Sequence, residues 1–113
     1  AVPVKSEDYN QVCVISVSGE FVGPEIASAR QCADDAINIR QMVDIIMDME
    51  KVPFIDSEGL ETLLWMKRRC EEVFGQLKLV GLDENCRKIM EITRLDHRLE
   101  CHDNLESAVK TLR

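Results

Sequence analysis

The chain has 113 residues, of which 45% are hydrophobic and 31% are charged, so its size and composition predict one compact domain over residues 1–113. Its 21 acidic and 14 basic residues give a formal net charge of −7, which argues against binding nucleic acid or an anionic membrane surface by general electrostatics. The five cysteines are scattered and form no C-x-x-C pair, which argues against a disulfide framework or a zinc site.

The chain has no sequence signal for membrane insertion or export. No apolar run approaches the roughly 20 residues that a membrane-spanning helix needs. No basic and then apolar segment of the signal-peptide kind opens the chain. We therefore expect a cytoplasmic protein with reduced thiols and no direct membrane insertion.

The first third of the chain predicts a β-hairpin followed by a helix. Val2 and Val4 begin an edge strand, Tyr9-Asn10 forms the turn, and residues 12–18 form the second strand. Gly19 ends that strand, and Gly23-Pro24 begins the helix, with Pro24 at its first position. The side chains expected to face the core are Cys13, Ile15 and Val17 of the strand and Ile26, Ala29, Ala33, Ala36 and Ile37 of the helix.

Residues 48–60 join the most apolar strand candidate to the longest helix candidate. The β-branched run at 43–47 is typical of a strand that is covered on both faces. Apolar residues then recur at helical spacing from Leu60 to Phe74, and Gly75 is predicted to be the left-handed cap. Asp56 and Ser57 lie where this helix begins, and either side chain could accept a hydrogen bond from its first turn.

The last third of the chain alternates strand and helix. Residues 76–80 are a predicted strand, Asp83 caps a helix, and a short strand follows around 99–101. Asp103 and Glu106 resemble a capping box at the start of a final helix. Because strands and helices alternate after the hairpin, we expect the later strands to be parallel, with right-handed crossovers.

One cluster, His97, Cys101, His102 and Asp103, has residue types suited to metal binding or catalysis. Strand alternation would send Cys101 and His102 to opposite faces, and the chain has no third His to complete a site. The glycine-rich loops that hold nucleotide phosphates are also missing. We therefore predict no metal, no cofactor and no enzymatic activity.

Asp56 and Ser57 allow a structural and a functional interpretation. An Asp or Ser before a helix is most often only a cap. This pair, however, follows the end of a predicted central strand, where open α/β sheets place their sites. At 100° per residue, Trp65 points away from the apolar face that contains Leu60, so we expect it to be exposed as an interface anchor. The alternative is that Trp65 covers a neighbouring loop. The residues expected around it are Glu58, Glu61, Arg68, Arg69 and Glu72.

The stretch 48–60, with its D-S-x-G-L turn beginning at Asp56, resembles the signature of STAS domains, typified by bacterial anti-sigma factor antagonists. Ser16-Val-Ser-Gly-Glu20 resembles the family's second-strand ending. The resemblance implies an α/β fold of the STAS type: a mixed four- to five-stranded sheet with an N-terminal hairpin and about four helices. In the antagonists the Ser after this Asp is phosphorylated by a partner that is both serine kinase and anti-sigma factor, and a phosphatase resets the switch.

That role would fall on Ser57. The partner-binding residues would be Asp56, Ser57, Glu58, Gly59, Glu61 and Trp65.

Two positions depart from the antagonist pattern. Many antagonists have a small or hydroxyl residue where this chain has Glu58, and an acidic residue where it has Val22. STAS modules also serve as cytoplasmic domains of anion transporters, as subunits of lipid-transport complexes and as scaffolds in stress signalling. The sequence therefore predicts a phosphorylation-switched antagonist, with a constitutive interaction module as the alternative.

Overall fold

Five strands form one mixed sheet in the order β1-β2-β3-β4-β5, in a computed structural model that describes residues 2–112. Four α-helices and a 3₁₀ turn at Leu95–His97 accompany these strands in that range. The strands are β1 (Val4–Tyr9), β2 (Val12–Ser18), β3 (Asp44–Lys51), β4 (Leu77–Val80) and β5 (Glu100–His102). The helices are α1 (Gly23–Asn38), α2 (Ser57–Glu72), α3 (Glu84–Ile92) and α4 (Leu105–Val109).

The strand directions follow the order of the elements along the chain. β1 and β2 pair antiparallel through the turn after Tyr9, in which Asn10 has a φ of 55°. The pairs β2–β3, β3–β4 and β4–β5 are parallel. The predicted hairpin and parallel strands are confirmed, and β3 lies at the centre of the sheet.

Helices α1, α2 and α3 cover one face of the sheet and bury the main core. All eight side chains predicted to face the core from β2 and α1 are buried. The opposite face is covered by α4 over a smaller cluster that contains Val14, Ile46, Val80 and Ala108. β3 is therefore buried on both sides, as its apolar run predicted. No helix within residues 2–112 has the length and apolarity needed to cross a bilayer.

Two predicted helix ends are wrong in detail. α2 ends at Glu72, and the left-handed residue after it is Phe74 with a φ of 65°, not Gly75. Gly75 is required for another reason, because a Cβ there would overlap the Val43 carbonyl. The predicted capping box at Asp103 is also wrong, since the Asn104 side chain accepts the Ser107 N–H at 2.9 Å and caps α4.

Candidate functional site

The segment between β3 and α2 lies at the carboxyl end of the central strand and is tied to the loop that follows β2. The Phe21 N–H donates to the Phe54 carbonyl at 3.0 Å, and the Gly19 N–H donates to the Lys51 carbonyl at 3.0 Å. Phe21 and Ile55 also form a parallel bridge, and both side chains are buried. The chain leading into α2 is therefore fixed by backbone bonds to a neighbouring loop.

Gly59 lets the first turn of α2 lie directly on Phe21. A Cβ at position 59 would lie 2.8 Å from the Phe21 carbonyl oxygen, 2.8 Å from Ile55 Cγ2 and 3.0 Å from Phe21 Cδ2. Real Cβ atoms do not approach other heavy atoms so closely, so only glycine fits without a shift of its surroundings. The glycine of the D-S-x-G-L turn thus has a packing role in placing Ser57.

The sequence left open which of Asp56 and Ser57 caps α2, and in the structure one is the cap and the other carries an accessible hydroxyl. Asp56 is the N-cap, and its Oδ1 accepts the Gly59 N–H at 2.7 Å. Ser57 is the first residue of α2 and is exposed. The first four N–H groups of a helix lack intrahelical acceptors, so those of Ser57 and Glu58 are available to a group at this end. The site therefore has a fixed cap beside an accessible hydroxyl.

The surface around Ser57 is acidic. Glu58 is exposed beside it, and Glu61 is exposed one turn later on the same side of the helix. The first turns of α1 and α3, which also start after the carboxyl ends of parallel strands, carry Glu25 and Glu84. These carboxylates stabilise the positive ends of the helix dipoles, and they give this end of the sheet a negative potential.

Helix α3 supports the other side of the segment before Ser57. Asn85 Nδ2 donates to the Pro53 carbonyl at 2.8 Å, and Cys86 Sγ donates to the Val52 carbonyl at 3.3 Å. Burial, followed by the neighbouring Asp83 carboxylate, raises the pKa of Cys86 to about 12. The Cys86 thiol therefore stays protonated and acts here as a donor rather than a nucleophile.

The prediction that Trp65 is solvent-exposed is wrong. Its side chain is partly buried and packs against the main core, and the Arg30 guanidinium lies 4.6 Å from its ring centroid. Arg30 of α1 also donates from Nε to Thr62 Oγ1 at 3.2 Å, which holds the cation over the ring. Trp65 follows Ser57 by eight residues, roughly 12 Å along the helix, so the two side chains do not form one compact site.

Three of the remaining ligand-type residues, Cys101, His102 and Asp103, line one pocket, but they have different polar partners. His102 Nε2 lies 2.7 Å from Glu100 Oε2, whereas Asp103 pairs with Arg87 at 3.1 Å. His97 is exposed, and no group of three potential ligands occurs within the described range. His102 and Asp103 thus pair with different charged residues.

Sequence reasoning missed three residues that build the site: Phe21, Asn85 and Arg30. Phe21 follows the Gly19-Glu20 pair, and its apolar character was the one available signal that it lies under the D-S-x-G-L turn. Asn85 and Arg30 had no signal, because each acts across 32 residues of sequence.

Comparisons with known proteins agree with this architecture. The anti-sigma F factor antagonist of Paenibacillus polymyxa is 22% identical over 109 residues, which are 96% of this chain and 93% of that protein. An anti-sigma factor antagonist from Mycobacterium paratuberculosis superposes with a TM-score of 0.79 at 26% identity, over 97% of this chain and 92% of that one. The phosphorylated Bacillus cell fate determinant SpoIIAA superposes with a TM-score of 0.75 at 24% identity, over 97% of this chain and 99% of that one.

A sequence profile of the STAS domain matches residues 4–108, which include all five strands and the D-S-x-G-L turn. Because the match spans nearly the whole chain and the solved antagonists share its fold, the chain belongs to the STAS domain family.

Proposed function

We propose that this protein is an anti-sigma factor antagonist-like regulator, which binds a partner that is both serine kinase and anti-sigma factor and is switched by phosphorylation of Ser57. The observation that carries the proposal is the exposed hydroxyl of Ser57 at the first position of α2. Asp56, Gly59 and Phe21 hold that helix end in place. The antagonists among its relatives support the same function.

Phosphorylation would leave the fold intact. A phosphoryl group adds a charge of about −1.5 to −2. The positive end of the α2 dipole favours such a charge by about 0.3–1 kcal/mol when exposed, which offsets part of the repulsion from Glu58 and Glu61. Phosphorylation would therefore lower the affinity for the partner rather than the stability of the fold. An acidic or apolar partner surface docked over Ser57 would meet a dianion with little room for water, and repulsion or desolvation would weaken the complex by several kcal/mol. A partner surface lined by Arg would reverse the sign.

Because of Glu58, phosphorylation should change the binding affinity less than it would beside a neutral neighbour. It places a permanent negative charge next to Ser57, so part of the electrostatic change is already present before phosphorylation. The partner should therefore place a neutral polar group opposite Glu58, because a basic group there would also attract the phosphoryl group. Val22, at the N-cap of α1, offers no carboxylate to such a partner and makes no side-chain cap bond.

Partner binding is proposed to centre on Asp56, Ser57, Glu58 and Glu61 at the start of α2. Gly59, which was expected to join them, is buried against Phe21 and supports this surface from beneath. Trp65 belongs at the edge of this surface, because Arg30 and the α1–α2 packing cover part of its ring. Its contribution to binding would depend on how far the partner displaces Arg30.

Affinity capture tests the proposal. Wild type, Ser57→Ala and Ser57→Asp would be used as baits, with Ser6→Asp as a matched charge control on the exposed edge strand β1. We expect a protein with a kinase fold to be retained by wild type, Ser57→Ala and Ser6→Asp and released by Ser57→Asp. Equal retention of a membrane-transport or scaffold protein by all four baits would instead identify a constitutive STAS module.

A further inference from the structure

A cavity of about 220 Å³ lies between the face of the sheet that α4 covers and α4 itself. It is at the amino end of the parallel strands, whereas Ser57 follows their carboxyl end. The eight residues of β3 separate these two ends by roughly 26 Å. This cavity is therefore remote from the proposed phosphorylation site, and the inference drawn from it does not rest on the proposed function.

The floor of the cavity is one row of cross-strand neighbours. Tyr9 of β1 is paired with Val12 of β2, and Val12 is paired with Asp44 of β3. Directly paired residues project to the same face of a sheet, so the phenol, the valine and the carboxylate lie side by side. The apolar side chain of Val14, two residues further along β2, extends the floor toward the small core.

The wall of the cavity is one stripe of α4 and the residues after it. Leu105, Val109 and Leu112 follow each other at helical spacing and all line the cavity. Val109 is 44% exposed and Tyr9 is 50% exposed, so the mouth of the cavity leaves apolar surface in contact with water. A bound apolar group would bury this surface.

The charged residue that lines the cavity is Asp44, beside the polar residues Tyr9, Asn10 and Gln11. Asp44 Oδ1 accepts the Gln76 N–H at 3.0 Å, which fixes its orientation. Within residues 2–112 no Lys, Arg or His forms an ion pair with it. On the same face, the Tyr9 hydroxyl donates to Glu7 at 3.1 Å, which places a second carboxylate near the mouth. A cation would therefore be favoured here and an anion repelled.

We propose that this cavity binds a small apolar molecule that carries a protonated amine. A cavity of about 150 Å³ can hold a benzene ring, so this larger one has room for such a ring with a short chain. It is smaller than the roughly 300–1,000 Å³ of drug-sized sites. The ring would pack between Val12 and Val109, and the ammonium group would pair with Asp44.

The test is an NMR titration of the ¹⁵N-labelled full chain with 2-phenylethylamine. Ethylbenzene has the same ring without the charge, and 3-phenylpropionate has the opposite charge. We expect shifts confined to the hairpin turn, the start of β3 and α4. We also expect the amine to bind about tenfold or more tightly than the carboxylate, a difference of about 1.4 kcal/mol.

Two variants separate the contribution of the Asp44 charge to binding from that of the cavity itself. Asp44→Asn keeps an acceptor for Gln76 and removes the charge, so it should weaken amine binding about tenfold and leave ethylbenzene within about twofold. Val109→Trp should fill the mouth and abolish binding of both compounds. Shifts outside the cavity, equal affinity for amine and carboxylate, or an unchanged amine affinity in Asp44→Asn would overturn the proposal.

Discussion

Replacing Gly59 by Ala tests how tightly the first turn of α2 sits on the loop after β2. The new Cβ would meet the Phe21 carbonyl oxygen and Ile55 Cγ2 at 2.8 Å each. The carbonyl is backbone and is held by the pairing of Phe21 with the segment before Ser57, so a change of rotamer cannot relieve that contact. The helix start or the loop must move instead.

The two opposing contributions give the size of the expected effect. Overpacking a close contact costs about 1–3 kcal/mol. Alanine gains at most about 0.8–1.0 kcal/mol over glycine from helix propensity, and less in a first turn. We therefore expect Gly59→Ala to lower the free energy of unfolding by about 1–2 kcal/mol. For a domain of this size each kcal/mol corresponds to a fall in Tm of roughly 4 °C.

Urea denaturation followed by circular dichroism measures this change. Glu58→Ala is the matched control, because Glu58 is exposed in the same turn and its substitution should change stability by no more than about 0.5 kcal/mol. Amide shifts should report movement at Phe21 in Gly59→Ala only. A stability gain of about 1 kcal/mol in Gly59→Ala, as propensity alone would give, would refute the tight packing.

Three further predictions concern capping, the α1–α2 contact and the thiols. Asp56→Ala should lower the free energy of unfolding by about 1 kcal/mol in urea denaturation, because the Gly59 N–H loses its acceptor; an unchanged stability would contradict the cap. Trp65→Ala should lower the free energy of unfolding by about 1–3 kcal/mol and Arg30→Ala by about 0.5–1 kcal/mol. A double-mutant cycle should show that the two effects are coupled, and additive effects would contradict the stacking of Arg30 on Trp65. Three thiols have a pKa that burial raises to about 12, whereas unfolded thiols titrate near about 8.5. The contribution of these buried thiols to the free energy of unfolding should therefore be fully present below about pH 8.5 and should fall as the pH rises toward 12. Urea denaturation midpoints at about pH 7 and 10 measure this change, and equal midpoints would contradict the burial. These thiols are Cys13, Cys70 and Cys86.

Patterns that repeat along the chain were sufficient to predict most of the fold. Alternation in β2, the small-residue stripe of α1 and the apolar run of β3 each depend on local sequence, and each was confirmed. The D-S-x-G-L turn located the start of α2 at Asp56-Ser57 for the same reason, since caps and first turns are local, and the structure identifies Asp56 as the cap.

Contacts between distant residues explain what the sequence did not predict. A helical wheel places Trp65 on the polar side of α2, but α1 packs along that side and Arg30 covers the ring. Phe74, rather than Gly75, adopts the left-handed conformation, and Gly75 is instead needed where the chain passes Val43. For Trp65 and Gly75 the important contact is with a neighbouring element, and the local pattern carried no information about that neighbour.

The most direct test of the account is to locate the phosphate after the captured kinase-type partner and ATP have acted on this protein. Mass spectrometry should place one phosphoryl group on Ser57 in wild type and none on Ser57→Ala. Titration calorimetry should then find that the phosphorylated protein binds the partner at least about 100-fold more weakly, a loss of about 2.7 kcal/mol. A phosphate on another residue, or equal affinity of the two forms, would contradict the switch and leave Ser57 as the first residue of a helix with no regulatory role.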